Sequence, residues 1–427
     1  MQNNAKKTNL WEKHKELGAK ISEFSGYEMP LWYSSAKDEH LAVLTTAGIF
    51  DTSHMSPIRI SGSRAEELLQ FSFSRDLRYC LNNNTSPLKP GKSVYGVILN
   101  YIGHVIDDAI LSKIDQNNFL LMVNADMGGT ISEYLNNNQK YLSAEAKVED
   151  LTDLIGKIDL QGPSSAYILK KVLKDPERCF NSLNYFSFQG DFEQKGDRAQ
   201  EVKLHGHLPV MLSRSGYTGE FGFELLVGVQ NTKELWEMLM QAGEEYGLEP
   251  CGLASRDSLR AGAVLPLSHQ DIGDWPFLNN PWTFALPYTS DKTGFTKQFN
   301  GSRALEQTGQ ADYTYPFVGY DPRKITPGGD ASVLYQGENI GTVLTCTTDM
   351  GIGWHQNRIY SIASPDKPVD FKPRGLCCGF IKVNRQIASN QEIELRDSKR
   401  GIKVLIAEDI RPDRTAKQNL FPENVQK

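Results

Sequence analysis

The chain has 427 residues and a mass of 47.9 kDa, about three times the usual length of one domain, so it can bury a core without disulfides or a structural metal. With 39% hydrophobic and 10% aromatic residues, it is too apolar for a disordered chain. The 46 basic residues against 52 acidic ones give a formal net charge of −6, which excludes the broad basic surface of a dedicated nucleic-acid binder.

The first predicted elements are a helix, a strand and a second helix. Apolar residues spaced among charged ones predict a helix over 36–46. Alternation of apolar and polar residues predicts a strand at 58–60. Ser63 followed by Glu66 forms a capping box, which predicts that a helix begins there.

A β-hairpin is predicted next. Two β-rich stretches at 94–99 and 105–111 flank a turn at 100–103. A third strand is predicted at 119–123.

The strand–turn–helix unit returns one hundred residues later, where Pro163 fits the first position of a helix. The corresponding positions are Ile58 with Ile158, Gly62 with Gly162, Leu68 with Ile168, and Leu69 with Leu169. This internal similarity predicts two related α+β halves, with a chance likeness of short units as the alternative.

The later part of the chain changes from helices to short strands. Residues 191–203 are charged and are expected to form an exposed insert, whereas 232–246 has the spacing of an amphipathic helix that ends at Gly247. Beyond about residue 317, short strands alternate with turns, which predicts a small β-barrel or sandwich. The strands of this region are predicted at 331–335, 340–345 and 402–407.

The sequence predicts a cytoplasmic chain. No apolar run approaches the roughly 18 residues of a membrane helix, and the basic residues of 1–7 are not followed by the apolar stretch of a signal peptide. The six cysteines form no Cys-x-x-Cys pair, so we expect reduced thiols.

A glycine-rich segment at 213–224 is the most informative motif. Its glycines are spaced like those of a phosphate-binding loop, but that loop opens a helix, whereas 223–227 continues as a strand. Residues 90–93 resemble the end of a Walker A loop, yet serine stands at position 86, where glycine is required. Nucleotide binding is therefore disfavoured, and the segment indicates either a ligand-binding turn or a plain hairpin turn.

Five motifs in chain order resemble the glycine-cleavage T-protein, or aminomethyltransferase, family. They lie at 26–33, 51–55, 105–108, 213–224 and 251–260. The resemblance implies an α+β fold, a three-domain cloverleaf around tetrahydrofolate that ends in a C-terminal β-barrel. The implied domains are 1–55 with 150–270, then 56–149, a connecting segment at 271–315, and the barrel at 316–427.

The resemblance also implies the residues of the site. Asp107 corresponds to the family's catalytic acid, which can orient the attacking folate nitrogen and stabilise its positive charge. The positions that correspond to the folate pocket are Glu224, Arg256, Tyr95, Asn124, Met55 and Tyr217. A carboxylate can accept the donor edge of a pterin, and an arginine can pair with the carboxylates of the folate tail.

Several neighbouring residues receive other assignments. Because side chains alternate along a strand, Asp107 and Asp108 are predicted on opposite faces, with only one aimed into the pocket. No metal site is expected at His205 and His207, which lack a third ligand nearby, and His54 is expected to be structural.

The sequence departs from the family pattern at several positions after Arg260. These are Gly262 in place of a glutamate, Ser268-His269 in place of Tyr-Gly, the neutral Asn279 and Asn280 in place of acids, and an extra stretch at 349–355. We expect these changes to lie away from the folate motifs and to affect the one-carbon donor, with neutral drift as the alternative.

Three functions stay open at this point. The first is a T-protein-like transferase that takes an aminomethyl group from a lipoyl carrier protein and releases ammonia and methylenetetrahydrofolate. The second is a tetrahydrofolate-dependent demethylase of a small methylated amine, sulfonium or methoxy compound. The third is a folate-binding protein of iron–sulfur assembly without enzyme activity, although the Lys-Gly-Cys-Tyr-type motif of that branch is not found in the sequence. Tetrahydrofolate is the expected cofactor, and neither nucleic acid nor a membrane is an expected partner.

Overall fold

The computed structural model describes residues 5–143, 145–194, 196 and 198–418. Its strands are β1 (Lys6–Lys7), β2 (Lys20–Phe24), β3 (Tyr27–Trp32), β4 (Ala47–Asp51), β5 (Ser56–Ser61), β6 (Lys92–Leu99), β7 (Val105–Lys113), β8 (Asn118–Val123), β9 (Lys147–Asp150), β10 (Ile155–Gln161), β11 (Phe188–Gly190), β12 (Met211–Ser213), β13 (Gly222–Gly228), β14 (Leu248–Pro250), β15 (Tyr313–Gly319), β16 (Ser332–Tyr335), β17 (Glu338–Asp349), β18 (Ile352–His355), β19 (Arg358–Ser361), β20 (Leu376–Val383), β21 (Glu392–Arg396) and β22 (Gly401–Ile406). Its α-helices are α1 (Trp11–Glu16), α2 (Ala36–Thr45), α3 (Ala65–Ser72), α4 (Gly128–Leu142), α5 (Ser165–Val172), α6 (Pro176–Ser182), α7 (Thr232–Gly243), α8 (Leu253–Gly262) and α9 (Ser302–Gln307). Within these described ranges, none of the helices is both long enough and apolar enough to cross a membrane.

Two sheets repeat the same arrangement of strands. The five-stranded sheet has the order β6-β7-β8-β5-β9, and the six-stranded sheet has the order β11-β12-β13-β10-β4-β14. Each sheet places a three-stranded antiparallel meander beside the strand that precedes it in sequence, β5 or β10. The predicted repeat of a strand–turn–helix unit is confirmed, and its two turn glycines, Gly62 and Gly162, have φ values of +120° and +119°.

The helix starts predicted in both units are wrong by one or two residues. Helix α3 begins at Ala65 after Arg64, so Ser63 does not cap it, and α5 begins two residues after Pro163. The cause is a tight turn between each strand and its helix. In both turns the N–H of the first helical residue donates to the carbonyl of the glycine, at 3.1 and 3.0 Å, which moves the helix start further along the chain.

Most other predicted elements are confirmed. The first predicted helix is α2, the hairpin is formed by β6 and β7, and the third strand is β8. The helix predicted at 232–246 is α7 followed by a 3₁₀ turn, Glu244–Tyr246. The prediction of an exposed insert at 191–203 is wrong, because Phe192 and Val202 are buried and Val202 belongs to the core of the six-stranded sheet.

The C-terminal strands form a closed barrel in the order β15-β20-β17-β16-β21-β22, which confirms the predicted barrel. The hairpin of β18 and β19 follows β17 directly and contains much of the extra stretch at 349–355. Helix α8 packs against β17 and β20 of the barrel on one side and against β3 and α2 on another. The domain boundaries implied by the resemblance stay a prediction.

Candidate functional site

Asp107 is a buried carboxylate near the start of β7. Its Oδ2 accepts the backbone N–H of Asn124 at 2.9 Å, and its Oδ1 lies 2.7 Å from Nδ2 of the same residue. The Oγ of Ser268 donates to Oδ1 at 2.9 Å. Asn124 follows the end of β8, which is the neighbour of β7, so the sheet itself brings the two residues together. Asp107 is fully buried but well hydrogen-bonded.

Asp108 shares a donor with Asp107. Nδ2 of Asn124 also lies 2.7 Å from Oδ1 of Asp108, and the hydroxyl of Tyr95 donates to Oδ2 of Asp108 at 2.8 Å. We call Asp107 and Asp108 the acid pair. The prediction that only one of them reaches the site is therefore wrong. Both carboxyls meet at Asn124, which lies just beyond the end of β8, the strand that pairs with β7.

Burial raises the pKa of both carboxyls in the acid pair. The pKa of Asp107 rises to about 7, first because it is removed from water and second because Asp108 is nearby. The pKa of Asp108 also rises with burial, although Tyr95 and Asn124 stabilise its charge. Two interacting carboxyls of this kind titrate as a unit, so the pair can hold or release a proton near neutral pH.

A second cluster of charged side chains lies on the six-stranded sheet. Nζ of Lys157 is 2.5 Å from Oδ1 of Asp159 and 2.5 Å from Oε1 of Glu224. Asp159 and Glu224 are cross-strand partners on β10 and β13, and Lys157 lies two residues before Asp159 on the same face. Nη1 of Arg256, on α8, is 2.9 Å from Oδ2 of Asp159. We call Lys157, Asp159, Glu224 and Arg256 the ion cluster.

The ion cluster balances its charges internally. Although burial raises the pKa of Asp159, Lys157 and Arg256 lower it more strongly, so this carboxyl stays ionised. Glu224 is nearly buried, and its second oxygen accepts a hydrogen bond from the Ser215 hydroxyl. Both oxygens of Glu224 therefore have protein partners already, and a ligand at this position would share the carboxylate with Lys157.

Tyr217 lies against Arg256 of the ion cluster. The guanidinium carbon of Arg256 lies 4.8 Å from the centre of its ring, and its hydroxyl donates to the carbonyl of Pro266. Burial raises the pKa of Tyr217, the charge of Arg260 opposes that rise, and the charge of Asp108 adds to it. Tyr95 completes this side of the site, and its ring centre is 5.9 Å from that of the exposed Phe284.

Met55 is the predicted site residue that the structure does not bring into contact with the acid pair or the ion cluster. Its backbone N–H donates to the carbonyl of Thr52 at 3.1 Å, and its side chain is half-buried. The preceding residue, His54, is buried beside the rings of Phe24 and Tyr27, and its Nδ1 has no hydrogen-bond partner in the described part of the chain. Burial and the charge of Arg256 lower the pKa of His54 to about 4, so it is neutral at pH 7.

Sequence reasoning missed Lys157 and Asp159, although a signal was present. Both lie in a strand that is buried at every position, where charged residues are uncommon unless they are paired. Two charges of opposite sign on one face of such a strand indicate an ion pair.

Ser268 and His269 overturn the expectation that the divergent residues lie away from the folate motifs. Ser268 bonds directly to Asp107, and Nε2 of His269 lies 3.8 Å from Oδ1 of Asp107. The loop after α8 therefore forms part of the wall of the predicted catalytic site.

The structure gives Gly262 a role in packing. A Cβ at this position would lie 1.9 Å from Oδ2 of Asp349, whose carboxylate pairs with Arg411 at 2.5 Å and with His40 at 2.8 Å. The residue that ends the barrel strand β17 thus fills the space that a larger side chain at 262 would need. The absence of an acid at position 262 is explained by this buried ion pair.

Asn279 and Asn280 also have structural roles. Asn279 adopts a left-handed φ of +50°, a conformation that asparagine tolerates better than most residues, and Oδ1 of Asn280 accepts the N–H of Trp282 at 2.8 Å. Both features are typical of turns, so these neutral residues do not by themselves indicate an unusual donor.

Comparison with known proteins gives one consistent result. A family model described as the GCVT N-terminal domain matches residues 10–276. An aminomethyltransferase of Natranaerobius thermophilus is 31% identical over 402 residues, which is 94% of this chain and 96% of that protein. One of Staphylococcus epidermidis is 36% identical over 274 residues, which is 64% of this chain and 68% of the other. The crystal structure of glycine cleavage system aminomethyltransferase T from Bartonella henselae matches with a TM-score of 0.74 at 26% identity, over 94% of this chain and 97% of that one, which confirms the expected fold class.

Proposed function

Since the chain belongs to the aminomethyltransferase family, whose model is described as the GCVT N-terminal domain, we propose that it catalyses tetrahydrofolate-dependent aminomethyl transfer of the glycine-cleavage type. The family and the enzyme class expected from the sequence are confirmed by the same matches. The observation that carries the proposal is the acid pair: a buried Asp107 with a pKa of about 7, in contact with Asn124 and beside Asp108.

The chemistry of the site fits tetrahydrofolate. Phenol rings at Tyr95 and Tyr217 can contact a planar heterocycle, and Glu224 can accept hydrogen bonds from its amino edge while it keeps Lys157. Arg256 would bind the anionic part of the molecule and is held in place by Asp159. Bound tetrahydrofolate supplies the nitrogen that accepts the one-carbon unit.

Asp107 supports that chemistry because its carboxyl is buried away from water, where it can either carry a negative charge or bind a proton. A carboxylate away from water stabilises a neighbouring positive charge more strongly than one in solvent. Because its pKa lies near 7, Asp107 can also accept a proton at Oδ1 or Oδ2 during the reaction and lose it afterwards. Asn124 fixes the carboxylate by bonding to both of its oxygens.

The donor follows from the same reasoning. Gly262, Asn279 and Asn280 have structural roles, so they no longer favour a demethylase. We therefore propose that the donor is an aminomethylated lipoyl carrier protein and that the products are ammonia and methylenetetrahydrofolate. We also propose a cytoplasmic location. Met55 stays a proposed member of the folate pocket.

The proposal is tested by supplying different donors to the purified chain with tetrahydrofolate. We expect methylenetetrahydrofolate and ammonia when aminomethylated carrier protein is present, and neither product when the carrier protein carries no aminomethyl group. Formation of methyltetrahydrofolate from a methylated amine, sulfonium or methoxy compound without any carrier would instead identify a demethylase. Tight folate binding by calorimetry, with no turnover of any donor, would contradict an enzyme function.

A further inference from the structure

His269 lies at the boundary between the buried acid pair and water. Its side chain is 51% exposed, and its Nε2 is 3.8 Å from Oδ1 of Asp107, which is fully buried. This separation is longer than a hydrogen bond, but it leaves the imidazole next to the carboxylate. His269 therefore reaches both Asp107 and solvent, which the buried carboxyl cannot do on its own.

The loop that carries His269 is anchored by the buried carboxylate of Asp271. Asp271 accepts the backbone N–H of Leu267 at 3.0 Å, and its carboxylate pairs with the guanidinium of Arg260. The hydroxyl of Thr345, on β17 of the barrel, donates to Asp271 at 2.6 Å. These contacts anchor both ends of the turn around His269 to buried groups, so its position is set by the fold.

The same loop is tied to the strand that carries Asp107. The N–H of Val105 donates to the carbonyl of Gly273 at 2.9 Å, and the N–H of Phe277 donates to the carbonyl of Gly103 at 3.1 Å. These bonds fix the loop to β7 at the end from which Asp107 projects. The distance between His269 and Asp107 is thus constrained by hydrogen bonds on both sides.

The charges around His269 favour a proton carrier at this position. Asp107 faces it from β7, and Ser268 beside it donates to the same oxygen of Asp107. The neighbouring Arg260 is neutralised by Asp271 and Asp257, so it does not repel an imidazolium strongly. Tyr217 has its hydroxyl turned toward the carbonyl of Pro266.

We propose that His269 is the proton relay of Asp107: its half-exposed imidazole moves from 3.8 Å into hydrogen-bond distance, takes a proton from Asp107 Oδ1 at its Nε2 and passes it to water. In this step the O–H bond of the carboxylic acid breaks and an N–H bond forms on the imidazole, which then loses its proton to solvent or buffer. The proposal rests on the proposed function, since it concerns the proton that Asp107 acquires in each turnover. His269 acts through Asp107 and is a positioning residue.

Two variants separate a relay from a structural role. His269 has a left-handed φ of +63°, which glycine and asparagine also adopt, so His269→Gly and His269→Asn are both expected to fold. We expect turnover to fall by about 10²-fold in each, at unchanged KM for tetrahydrofolate, with the loss smallest at low pH, where a protonated imidazole cannot accept a proton. Added imidazole should restore turnover in His269→Gly, because it can occupy the vacated space.

A matched control is available at His207. It is exposed, has a φ of +64°, and contacts Lys174 rather than either residue of the acid pair, so His207→Asn should leave turnover unchanged. Turnover like that of the unaltered chain in both His269 variants overturns the relay. A loss in His269→Gly that imidazole does not restore also overturns it, because it indicates a structural role.

A second readout does not depend on activity. Carboxyl-carbon NMR of the protein without folate follows the titration of Asp107 directly. Because a relay requires the two groups to exchange a proton, their titrations are coupled, and His269→Asn should move the Asp107 midpoint, whereas His207→Asn should not. An unchanged midpoint in His269→Asn overturns the relay. Failure of the unaltered chain to bind tetrahydrofolate in calorimetry overturns the proposed function instead, and the NMR titration still decides whether the two residues interact.

Discussion

Asp107 and Asp108 share a single hydrogen-bond donor, since Nδ2 of Asn124 lies 2.7 Å from Oδ1 of each carboxyl. One N–H₂ group between two acids offers each of them a proton but cannot neutralise both charges. Burial raises the pKa of both carboxyls, and the charge of Asp108 raises that of Asp107 further. A proton held by the acid pair therefore cannot be assigned to one carboxyl. The two groups titrate together, and Asn124 bonds to both.

Asp107→Asn is expected to keep the fold and most of the folate affinity while it lowers turnover by about 10²-fold or more. The amide fills the same space and can keep the contact with Ser268, but it carries neither a charge nor an exchangeable carboxyl proton. Steady-state kinetics and folate calorimetry measure the two effects separately.

Asp108→Asn is the matched variant for this prediction. It removes the repulsion between the acids, so the pKa of Asp107 should move down from about 7 toward its ordinary value, and the pH profile of turnover should shift with it. If Asp108→Asn abolished turnover and Asp107→Asn did not, the catalytic assignment would belong to Asp108.

Stability should depend on pH through Asp107. Its pKa rises from 3.8 to about 7 on folding, so between these values the folded chain holds a proton that the unfolded chain releases. The contribution to the free energy of unfolding is full below about pH 4 and is lost as the pH rises through 7. Urea denaturation of the unaltered chain and Asp107→Asn, from pH 4 to 8, should show a difference that falls by up to about 1.4 kcal/mol per pH unit. A constant difference would contradict the raised pKa.

Glu224→Gln should weaken tetrahydrofolate binding by about 1.5–3 kcal/mol, the range for a hydrogen bond to a charged group. The amide keeps the shape of the side chain but offers a poorer acceptor to the ligand and leaves Lys157 paired with Asp159 alone. Calorimetry of the exposed control Glu249→Gln, on β14, should give the affinity of the unaltered chain. Equal affinities for both variants would remove Glu224 from the binding site.

Much of the fold could be predicted from the sequence because it follows from local patterns. Stretches of β-rich residues around a turn predict β6, β7 and β8, and period-3.6 spacing predicts α7. The start of α3 could not be predicted, because the conformation of a glycine turn competes with the capping box and nothing in the local pattern says which prevails.

The candidate site could be predicted only where its residues belong to a local motif. Asp107 belongs to a recognisable motif, whereas the contact of both acids with Asn124 depends on how β7 and β8 pair and has no local signature. Ser268 and His269 were seen as departures from the family pattern, but their contact with Asp107 joins residues 161 positions apart in the chain for Ser268. Contacts of that kind are set by the packing of the loop against β7.

The last prediction concerns Gly262 and the ion pair that fills its space. Gly262→Ala should destabilise the chain by about 3–5 kcal/mol, the range for breaking a buried ion pair, because the new Cβ would lie 1.9 Å from Oδ2 of Asp349. Arg411 and Asp349 are both fully buried, so neither can move into water when displaced. Chemical denaturation at neutral pH measures the effect.

Gly129→Ala provides the matched control, since Gly129 also lies in a helix, α4, but has no atom within 4 Å of an added Cβ. Alanine there should stabilise the chain slightly, by about 0.5–1 kcal/mol, because it favours the helix more than glycine does. A Gly262→Ala variant as stable as Gly129→Ala would mean that Asp349 can move aside at no cost. In that case the packing explanation for glycine at 262 would be wrong, and the missing acid would again bear on the choice of one-carbon donor.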